Sequence, residues 1–203
     1  IINSTFDSNK AFRNGGVIKN QNSKSLTVSG STFINNAASG SNKGSYGGAI
    51  YNWAVGLEVH NSTFVNNSAS DKGGAIYISY GNTALTPSFV GSNLVFVANS
   101  AKLGDAIFTE ASNVNVSNSA FINHEDAVYR STTPDRGTID LNSNWWGTNN
   151  SGWDKTLVNI AAPKVYAVLD VTANKVSAKS YDVIANMYWN GTAANAVIPV
   201  RNI

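Results

Sequence analysis

A two-part phrase that recurs along most of this chain limits its fold more than any other feature. The clearest copy begins with NSTFVNN, from Asn61 to Asn67, and continues with GGAIY, from Gly73 to Tyr77. The aromatic position of the phrase returns every 25 to 32 residues, at Phe6, Phe33, Phe64, Phe96, Phe121 and Trp146. Internal periods of this length indicate a solenoid or another repeat array, in which each repeat buries its apolar side only by stacking on its neighbours.

Each repeat contains two stretches with strand periodicity. The first approaches the aromatic residue through an apolar position seven residues earlier, at Leu26, Leu57, Phe89, Val114 and Ile139. The second follows the glycines and has an aliphatic column, Ile18, Ile50, Ile76, Ile107 and Val128. Because successive side chains of a strand point to opposite faces, we expect this column to point inward. The next column would then point outward, and it consists of Lys19, Tyr51, Tyr77, Phe108 and Tyr129.

These patterns predict an all-β, right-handed parallel β-helix of about six coils over residues 1–160. No window has helical periodicity, and the repeat is shorter than the about 40 to 45 residues of a propeller blade. Phe should stack on Phe and Ile on Ile, and the asparagines after each aromatic should form a ladder at the turns. The irregular spacings predict loop insertions at Ser39–Ser45, Tyr80–Ser88 and Ser131–Gly137, and insertions that gather on one side often form a binding face.

The pattern changes after the segment Asn142–Asn149. The glycine pair is lost, and Trp145, Trp146 and Trp153 are predicted to cap the open end of the solenoid. Residues 161–203 form a second predicted unit with three strands, Val165–Thr172, Tyr181–Trp189 and Ala196–Val200. Three strands are too few for a complete β-sandwich of about 100 residues, so we expect this unit to be truncated or completed by another chain.

Composition excludes several classes of function. The 14 Lys and Arg nearly balance the 12 Asp and Glu, so the net charge of +2 favours neither nucleic acid nor an anionic membrane as a partner. No apolar run is long enough to span a bilayer, so we expect no membrane insertion within this sequence. The absence of cysteine excludes disulfides and cysteine-based metal or nucleophile chemistry. Because Ile1 lies inside a repeat, we expect the chain to be part of a longer protein with neighbouring domains.

The phrases Ser62–Asn67 and Gly73–Ile76 resemble the repeats of polymorphic outer-membrane proteins. With NWWG at Asn144–Gly147 and the later Leu169–Ala173 and Ile198–Val200, the chain resembles still more the adhesin-like surface proteins of methanogenic archaea. The resemblance covers residues 3–150 well and 164–203 loosely. It implies a secreted, extracellular protein at the cell surface, whose β-helix leads into a bacterial-Ig-like β-sandwich beginning near residue 161. It also implies presentation to a host cell, another microbe or a polysaccharide.

The outward aromatic column is the candidate ligand-binding surface. Aromatic rings offer flat apolar faces with polar edges that suit sugars or proteins, and the candidates are Tyr51, Trp53, Tyr77, Phe108, Tyr129 and the nearby His124. In the alternative interpretation the column packs under a loop, or only stabilises its strands by stacking.

A polar cluster offers a catalytic alternative. His124, Glu125 and Asp126 stand where earlier repeats have Asn and Gly, and Arg130 and the Asp135–Arg136 pair follow. Carbohydrate-active β-helices use carboxylates with basic residues, and glycoside hydrolysis needs a paired acid and base. If the glycine columns stack, Asp105 would lie one coil from Asp126, which gives Asp105, Asp126 and Arg130 as alternative catalytic residues. Adjacent polar residues at a turn are also commonly just solvated.

No metal or cofactor is predicted. Only two histidines are present, and His60 has no ligand partner nearby in the sequence. Asp7, Asp71, Asp105 and Asp140 lie in no calcium-loop pattern. The first hypothesis is therefore a non-catalytic adhesin-like protein that binds a surface glycan or protein of another cell. A polysaccharide lyase or hydrolase is the second hypothesis, and a structural spacer of a surface layer is the third.

Overall fold

The structure is a computed structural model of the 203-residue chain. It describes residues 1–22, 24–40, 43–53, 55–80, 87–110, 112–132, 137–149, 152–177 and 180–190. Regular structure within these ranges is all strand, except for one short helix, Trp153–Thr156. Asp135, Arg136 and the predicted strand Ala196–Val200 lie outside the described residues, as do the middles of the three predicted insertions.

Four parallel sheets and one antiparallel hairpin contain the strands. The aliphatic sheet consists of Ser25–Ser29, Gly56–His60, Ser88–Ser92, Asn113–Ser117 and Ile139–Asp140. The Phe sheet consists of Thr5–Asp7, Thr32–Ile34, Thr63–Val65, Val95–Val97 and Ala120–Ile122. The Ile sheet consists of Ile18–Gln21, Ile50–Trp53, Ile76–Ile78, Ile107–Thr109, Val128–Arg130 and Leu157–Val158. The small sheet consists of Lys10–Ala11, Ala37–Ala38 and Ser68–Ala69.

Neighbouring strands within each sheet come from consecutive repeats, and equivalent residues lie opposite each other. Phe33 pairs with Phe6 and Phe64 in the Phe sheet. Ile76 pairs in the same way with Ile50 and Ile107 in the Ile sheet. Each repeat therefore forms one coil, and the stacked parallel strands confirm an all-β architecture consistent with a β-helix. The coils are numbered here by their aromatic residue, from the first at Phe6 to the sixth at Trp146.

The predicted single strand leading into each aromatic residue is wrong, because the chain turns within it. Gly30, Asn61, Asn93 and Asn118 have φ of 61°, 51°, 54° and 50°, and each separates an aliphatic-sheet strand from the following Phe-sheet strand. This left-handed conformation suits Gly and Asn. In three of these turns the next residue is a serine whose hydroxyl donates to the carbonyl two residues earlier, as Ser62 Oγ does to His60 O at 2.8 Å.

The core contains the predicted aromatic stack. Ring centroids from Phe6 to Phe121 are 4.8 to 5.1 Å apart, and Trp146 lies 4.5 Å from Phe121. Trp153 meets Trp146 edge to face at 5.8 Å and contacts Tyr166 at 5.1 Å. Trp146 covers the last Phe and Trp153 covers Trp146, so two of the three tryptophans predicted as caps lie at this end of the stack.

The two glycines of each pair have different tasks. Gly73 has a φ of 67°, which a side chain rarely adopts. Gly74 lies against the next coil, where an added Cβ would collide with the carbonyl oxygen of Asp105 and the backbone of Ser100. The first glycine therefore makes the turn, and the second permits close approach of the coils.

The C-terminal hairpin pairs Ala167–Ser177 with Ser180–Trp189 in antiparallel register. Both strands overlap the predicted ones. The base of the hairpin joins the sixth coil, since Ala167 N donates to Asn144 O at 2.9 Å. Farther along, Val171 and Val183 are 55% and 65% exposed, so this part of the hairpin contributes little to the core.

Candidate functional site

The aromatic column of the Ile sheet is continuous. Centroid distances are 5.2 Å from Tyr51 to Tyr77, 5.4 Å from Tyr77 to Phe108 and 5.3 Å from Phe108 to Tyr129. The rings lie within 11° of parallel in each pair. This regularity follows from the in-register pairing of the strands and agrees with the predicted ladder.

The column is covered at its centre, however. Tyr77 is 4% exposed and Phe108 is 1% exposed, so the expectation that both rings face solvent is wrong. Tyr46 stacks on Tyr77 at 4.9 Å, and Lys72 Nζ lies 4.8 Å from the centroid of Phe108. Tyr46 and Lys72 come from the turns that precede the glycine pairs. The middle of the column is thus structural, as in the alternative interpretation of the sequence.

The two ends of the column remain partly accessible. Tyr51 and Tyr129 are half-buried, and so is Trp53, which lies two residues from Tyr51 on the same side of its strand. Trp53 pairs in register with Gln21 of the first strand of the Ile sheet. Of the sequence-predicted binding residues in the column, these three retain surface that a ligand can contact.

Glu110 is a polar residue of this column that the sequence analysis missed. Its carboxylate accepts hydrogen bonds from Ser79 Oγ at 3.3 Å and Tyr80 N at 3.4 Å, and it is also bonded to the Tyr77 hydroxyl. Burial, followed by the nearby Glu110 carboxylate, raises the pKa of Tyr77 above its ordinary value. Tyr77 is therefore a neutral donor at all ordinary pH values. The sequence signal for Glu110 is its position, because it follows Phe108 by two residues and therefore lies on the same side of the chain.

A second outer surface lies on the Phe sheet. Because each Phe points inward, its two neighbours point outward. The column after the Phe is formed by Asp7, Ile34, Val65, Val97 and Ile122, and the column before it by Thr5, Thr32, Thr63, Val95 and Ala120. From the second coil onward these residues are uncharged and half-buried. The sequence signal for this surface is the pair of uncharged residues that flanks each Phe from the second coil onward.

The Asn ladder runs along one corner of the coils and confirms the predicted stacking of Asn on Asn. Each Oδ1 accepts both the backbone N–H and the Nδ2 group of the asparagine one coil earlier. For the steps Asn9–Asn36, Asn36–Asn67 and Asn67–Asn99 these distances lie between 2.9 and 3.1 Å. The Nδ2 groups of Asn36, Asn67 and Asn99 also donate to the carbonyl of an earlier Phe, at 2.9 to 3.0 Å. These hydrogen bonds hold the asparagine side chains within the stack.

His124 occupies the next position of this ladder. Its Nε2 accepts the backbone N–H of Asn99 at 3.3 Å and lies 3.5 Å from Asn99 Nδ2. An acceptor nitrogen cannot carry a proton, so the hydrogen of the neutral ring is on Nδ1. Nδ1 is buried and has no hydrogen-bond partner. Burial lowers the pKa of His124 to about 4, against the opposing attraction of the Asp105 carboxylate.

Asp105 and Asp126 are brought together as predicted. Asp105 N donates to Asp126 O at 2.6 Å, which places the two residues on successive coils. The Asp105 carboxylate accepts from Ala101 N and Glu125 N, both at 3.1 Å. Asp126 Oδ2 accepts from Gly104 N at 3.0 Å, whereas its Oδ1 is buried without a partner. Burial raises the pKa of Asp126 to about 6, and Asp105 adds to this increase while the Gly104 N–H opposes it.

The proposed third catalytic residue is engaged elsewhere. The Arg130 guanidinium donates to the carbonyl of Gly137 at 3.1 Å, and Arg130 O accepts from Asn159 Nδ2 at 2.9 Å. Asp105 uses both carboxylate oxygens to hold backbone amides. The cluster can exchange a proton at Asp126 near pH 6, but its visible hydrogen bonds close the corner between the fourth and fifth coils.

The described part of the chain contains no group of three His, Asp or Glu side chains arranged to hold a metal ion. None of its helices has the length and apolarity needed to cross a bilayer. His60, the other histidine, lies with Nδ1 2.7 Å from Ser92 Oγ.

The third coil is similar to a known family of repeats. Residues 61–79 match the Chlamydia polymorphic membrane protein repeat. The match spans the Phe64 strand, Asn67, the glycine pair and the strand Ile76–Ile78, which together make up most of the third coil. No curated protein and no solved structure matches the chain. The residues that build the third coil are therefore similar to the repeat of a membrane protein family.

Proposed function

We propose that this chain is the non-catalytic, adhesin-like part of a protein displayed at the cell surface. The observation that supports this most is the match of residues 61–79 to a polymorphic membrane protein repeat, combined with a stack in which equivalent residues of five coils lie in register. A stack of this kind presents the same outward groups repeatedly, so that several weak contacts to one surface add together.

The partner in this proposal is a glycan or protein on the surface of another cell. At one end of the aromatic column, the half-buried Tyr51 and Trp53 present rings to solvent, and such rings suit sugar rings or apolar protein groups. On the outer Phe-sheet surface, Val65 and Val97 offer methyl groups without charge. His124, an earlier candidate for direct contact, is bound into the Asn ladder and supports the surface instead.

The experiment compares two surface variants in adhesion and glycan-array assays. Y51A/W53A removes the accessible rings, and V65S/V97S makes the outer Phe-sheet surface polar. Y181A is the matched aromatic control, since Tyr181 is 58% exposed on the hairpin, and V90S is the matched valine control, with Val90 41% exposed on the aliphatic sheet. We expect at least a tenfold loss of binding in one of the first two variants and none in the controls. Equal binding by all four variants would exclude both surfaces.

The finer context is part of the same proposal. The protein would be extracellular, in the manner of the adhesin-like proteins of methanogenic archaea, with a right-handed β-helix over residues 1–160. The hairpin would then begin an Ig-like β-sandwich at about residue 161, because two strands with exposed valines need further strands for stability. A three-dimensional structure of a longer segment that includes residues 161–203 tests this: a helical or single-hairpin continuation would contradict it.

A polysaccharide lyase or hydrolase is a second candidate because Asp126 lies beside Asp105 and has a pKa raised to about 6, as a general acid requires. Incubation with pectins, uronans and cell-wall glycans tests this candidate. New reducing or unsaturated ends that disappear in D126N would support it, and no products from the wild-type chain would count against it. In a structural spacer, the third candidate, all variants would retain the assembly of the surface layer and no ligand would bind.

A further inference from the structure

At the corner where the fourth and fifth coils meet, the Asn ladder changes the kind of atom that accepts its hydrogen bonds. Three steps of the Asn ladder end on an amide oxygen at 2.9 to 3.1 Å. The fourth step ends on the imidazole Nε2 of His124 at 3.3 and 3.5 Å. An amide oxygen keeps its acceptor role at all ordinary pH values, whereas an imidazole nitrogen loses it when it binds a proton.

We propose that His124 makes this corner acid-sensitive: when Nε2 binds a proton, Asn99 loses the acceptor of its backbone N–H, and the corner between the fourth and fifth coils opens. The proton comes from solvent and is bound by the Nε2 lone pair, so that the closed corner would hold two N–H groups facing an N–H⁺ donor. Opening lets the imidazolium and the freed Asn99 N–H bind water. The proposal concerns a property of the fold and does not depend on adhesion.

The charged groups around His124 determine how strongly the corner responds. On the fourth coil, residues 99–101 carry no ionisable side chain, and Asp105 is the carboxylate that attracts an imidazolium at this site. On the same turn as His124, Glu125 is exposed and Asp126 is partly buried. On the sixth coil, residues 145–149 carry no ionisable group. The attraction from Asp105 is smaller than the cost of burial, and the folded-state pKa of His124 accordingly falls to about 4.

The sign of the effect follows from this shift. Opening exposes His124, whose pKa then returns toward its ordinary 6.5, so the open form binds more protons than the closed form between pH 6.5 and 4. The closed corner is therefore fully stable above pH 6.5 and loses stability as the pH falls. Asp126 acts in the opposite direction, because its pKa is raised to about 6 in the closed form. Protonation of Asp126 stabilises the closed corner as the pH falls through 6, which partly hides the His124 effect.

The two effects can be separated by hydrogen exchange of the full chain, reported as protection factors for the Asn99 and 120–130 amides at pH 7.5 and 5.0. In D126N only His124 responds, and acidification should lower protection about 30-fold. In H124N, which restores an amide acceptor, only Asp126 responds, and because Asp126 is partly exposed to solvent, protection should rise only about 3-fold. The wild-type chain combines both effects and should lose about 10-fold. The double variant H124N/D126N should not change. Equal protection of D126N at both pH values would overturn the proposal, as would a 30-fold loss in H124N/D126N.

A direct titration keeps the proposal testable if D126N fails to fold. The imidazole of His124, assigned by the missing resonance in H124N, is followed by nuclear magnetic resonance in the folded wild-type chain. We expect the neutral ring to carry its hydrogen on Nδ1 and to titrate below pH 5. A neutral ring with its hydrogen on Nε2, or titration at pH 6.5 while the corner amides stay protected, would show that Nε2 is not the acceptor of the ladder and would overturn the proposal.

Discussion

The third and fifth coils occupy equivalent places in the stack but close their corners with different chemistry. The third coil uses Asn67 and a glycine pair, none of which ionises. The fifth coil has His124, Glu125 and Asp126 at the corresponding positions, and Asp126 supplies a side-chain oxygen to Gly104 N where Gly73 N bonds to a backbone carbonyl. The regular coil is therefore held by permanent dipoles and close backbone contact, whereas the fifth depends on protonation states. Loss of the repeat phrase therefore places ionisable groups at positions that the third coil fills with Asn and Gly.

Removing the ladder residue should affect the third coil much more than the fifth. Asn67 is fully buried, and its side chain makes hydrogen bonds to Asn36, Asn99 and the carbonyl of Phe33. N67A leaves several buried groups unpaired and should lower the free energy of unfolding by about 4 kcal/mol. H124A removes only the longer contacts of Nε2 with Asn99. It should lower the free energy of unfolding by about 2 kcal/mol. Urea unfolding at pH 7.5 measures both, and equal losses would contradict the comparison.

The glycine pair provides the next largest contrast. G74A places a methyl group against the backbone of the adjacent coil, and separating the coils to accommodate it should cost about 3 kcal/mol. Gly152, which has no atom within 4 Å of an added Cβ, is the matched control, and G152A should change stability by less than about 0.5 kcal/mol. Thermal or urea unfolding at pH 7 measures the stability of both variants. If G74A is as stable as the wild-type chain, the coils are not in close contact at Gly74.

The covered and open parts of the aromatic column can be compared by removing single hydroxyl groups. The Tyr77 hydroxyl is buried and bonded to Glu110, so Y77F should lower stability by about 2 kcal/mol because a charged acceptor loses its donor. Tyr51 is half-buried and has Ser79 as its partner, so Y51F should cost about 0.5 kcal/mol. Urea unfolding measures both losses. A larger loss in Y51F than in Y77F would indicate that the covered centre of the column stabilises the fold less than its open end does.

Most of the stack could be predicted because its residues return in one frame. The Phe and Ile columns and the capping tryptophans each depend only on spacing and on alternation along a strand. The position of His124 in the Asn ladder was also available from the sequence, since it lies three residues after Phe121 as Asn99 does after Phe96. The charged residues beside His124 favour its interpretation as a surface group, and the partly buried position in the ladder corrects that interpretation.

The cover of the aromatic column could not be predicted in the same way. Tyr46 and Lys72 lie in the turns between repeats, where the spacing changes from coil to coil, and their side chains reach a neighbouring coil. Alternation correctly places Tyr77 and Phe108 on the outer side of their strands, but it does not show what lies above them. The turns within the predicted single strands were missed for a related reason, since Asn61 and Asn93 break the strand through a left-handed φ that the apolar pattern does not record.

The smallest effect concerns the carboxylate of the fifth coil and has a defined pH window. The pKa of Asp126 is raised from 3.8 to about 6 in the folded chain, so the folded state binds more protons than the unfolded state between these values. The resulting penalty is absent below pH 3.8, grows as the pH rises and is complete above pH 6.

D126N keeps an oxygen for Gly104 N and removes the charge. Because Asp126 is partly exposed, solvent screening reduces the gain at pH 7.5 to about 1 kcal/mol. The gain should disappear at pH 3.5, and urea titrations of both chains across this range measure it. A D126N chain less stable than wild type at pH 7.5 would mean that the carboxylate stabilises the fifth coil, which would then resemble the third in needing its corner residue.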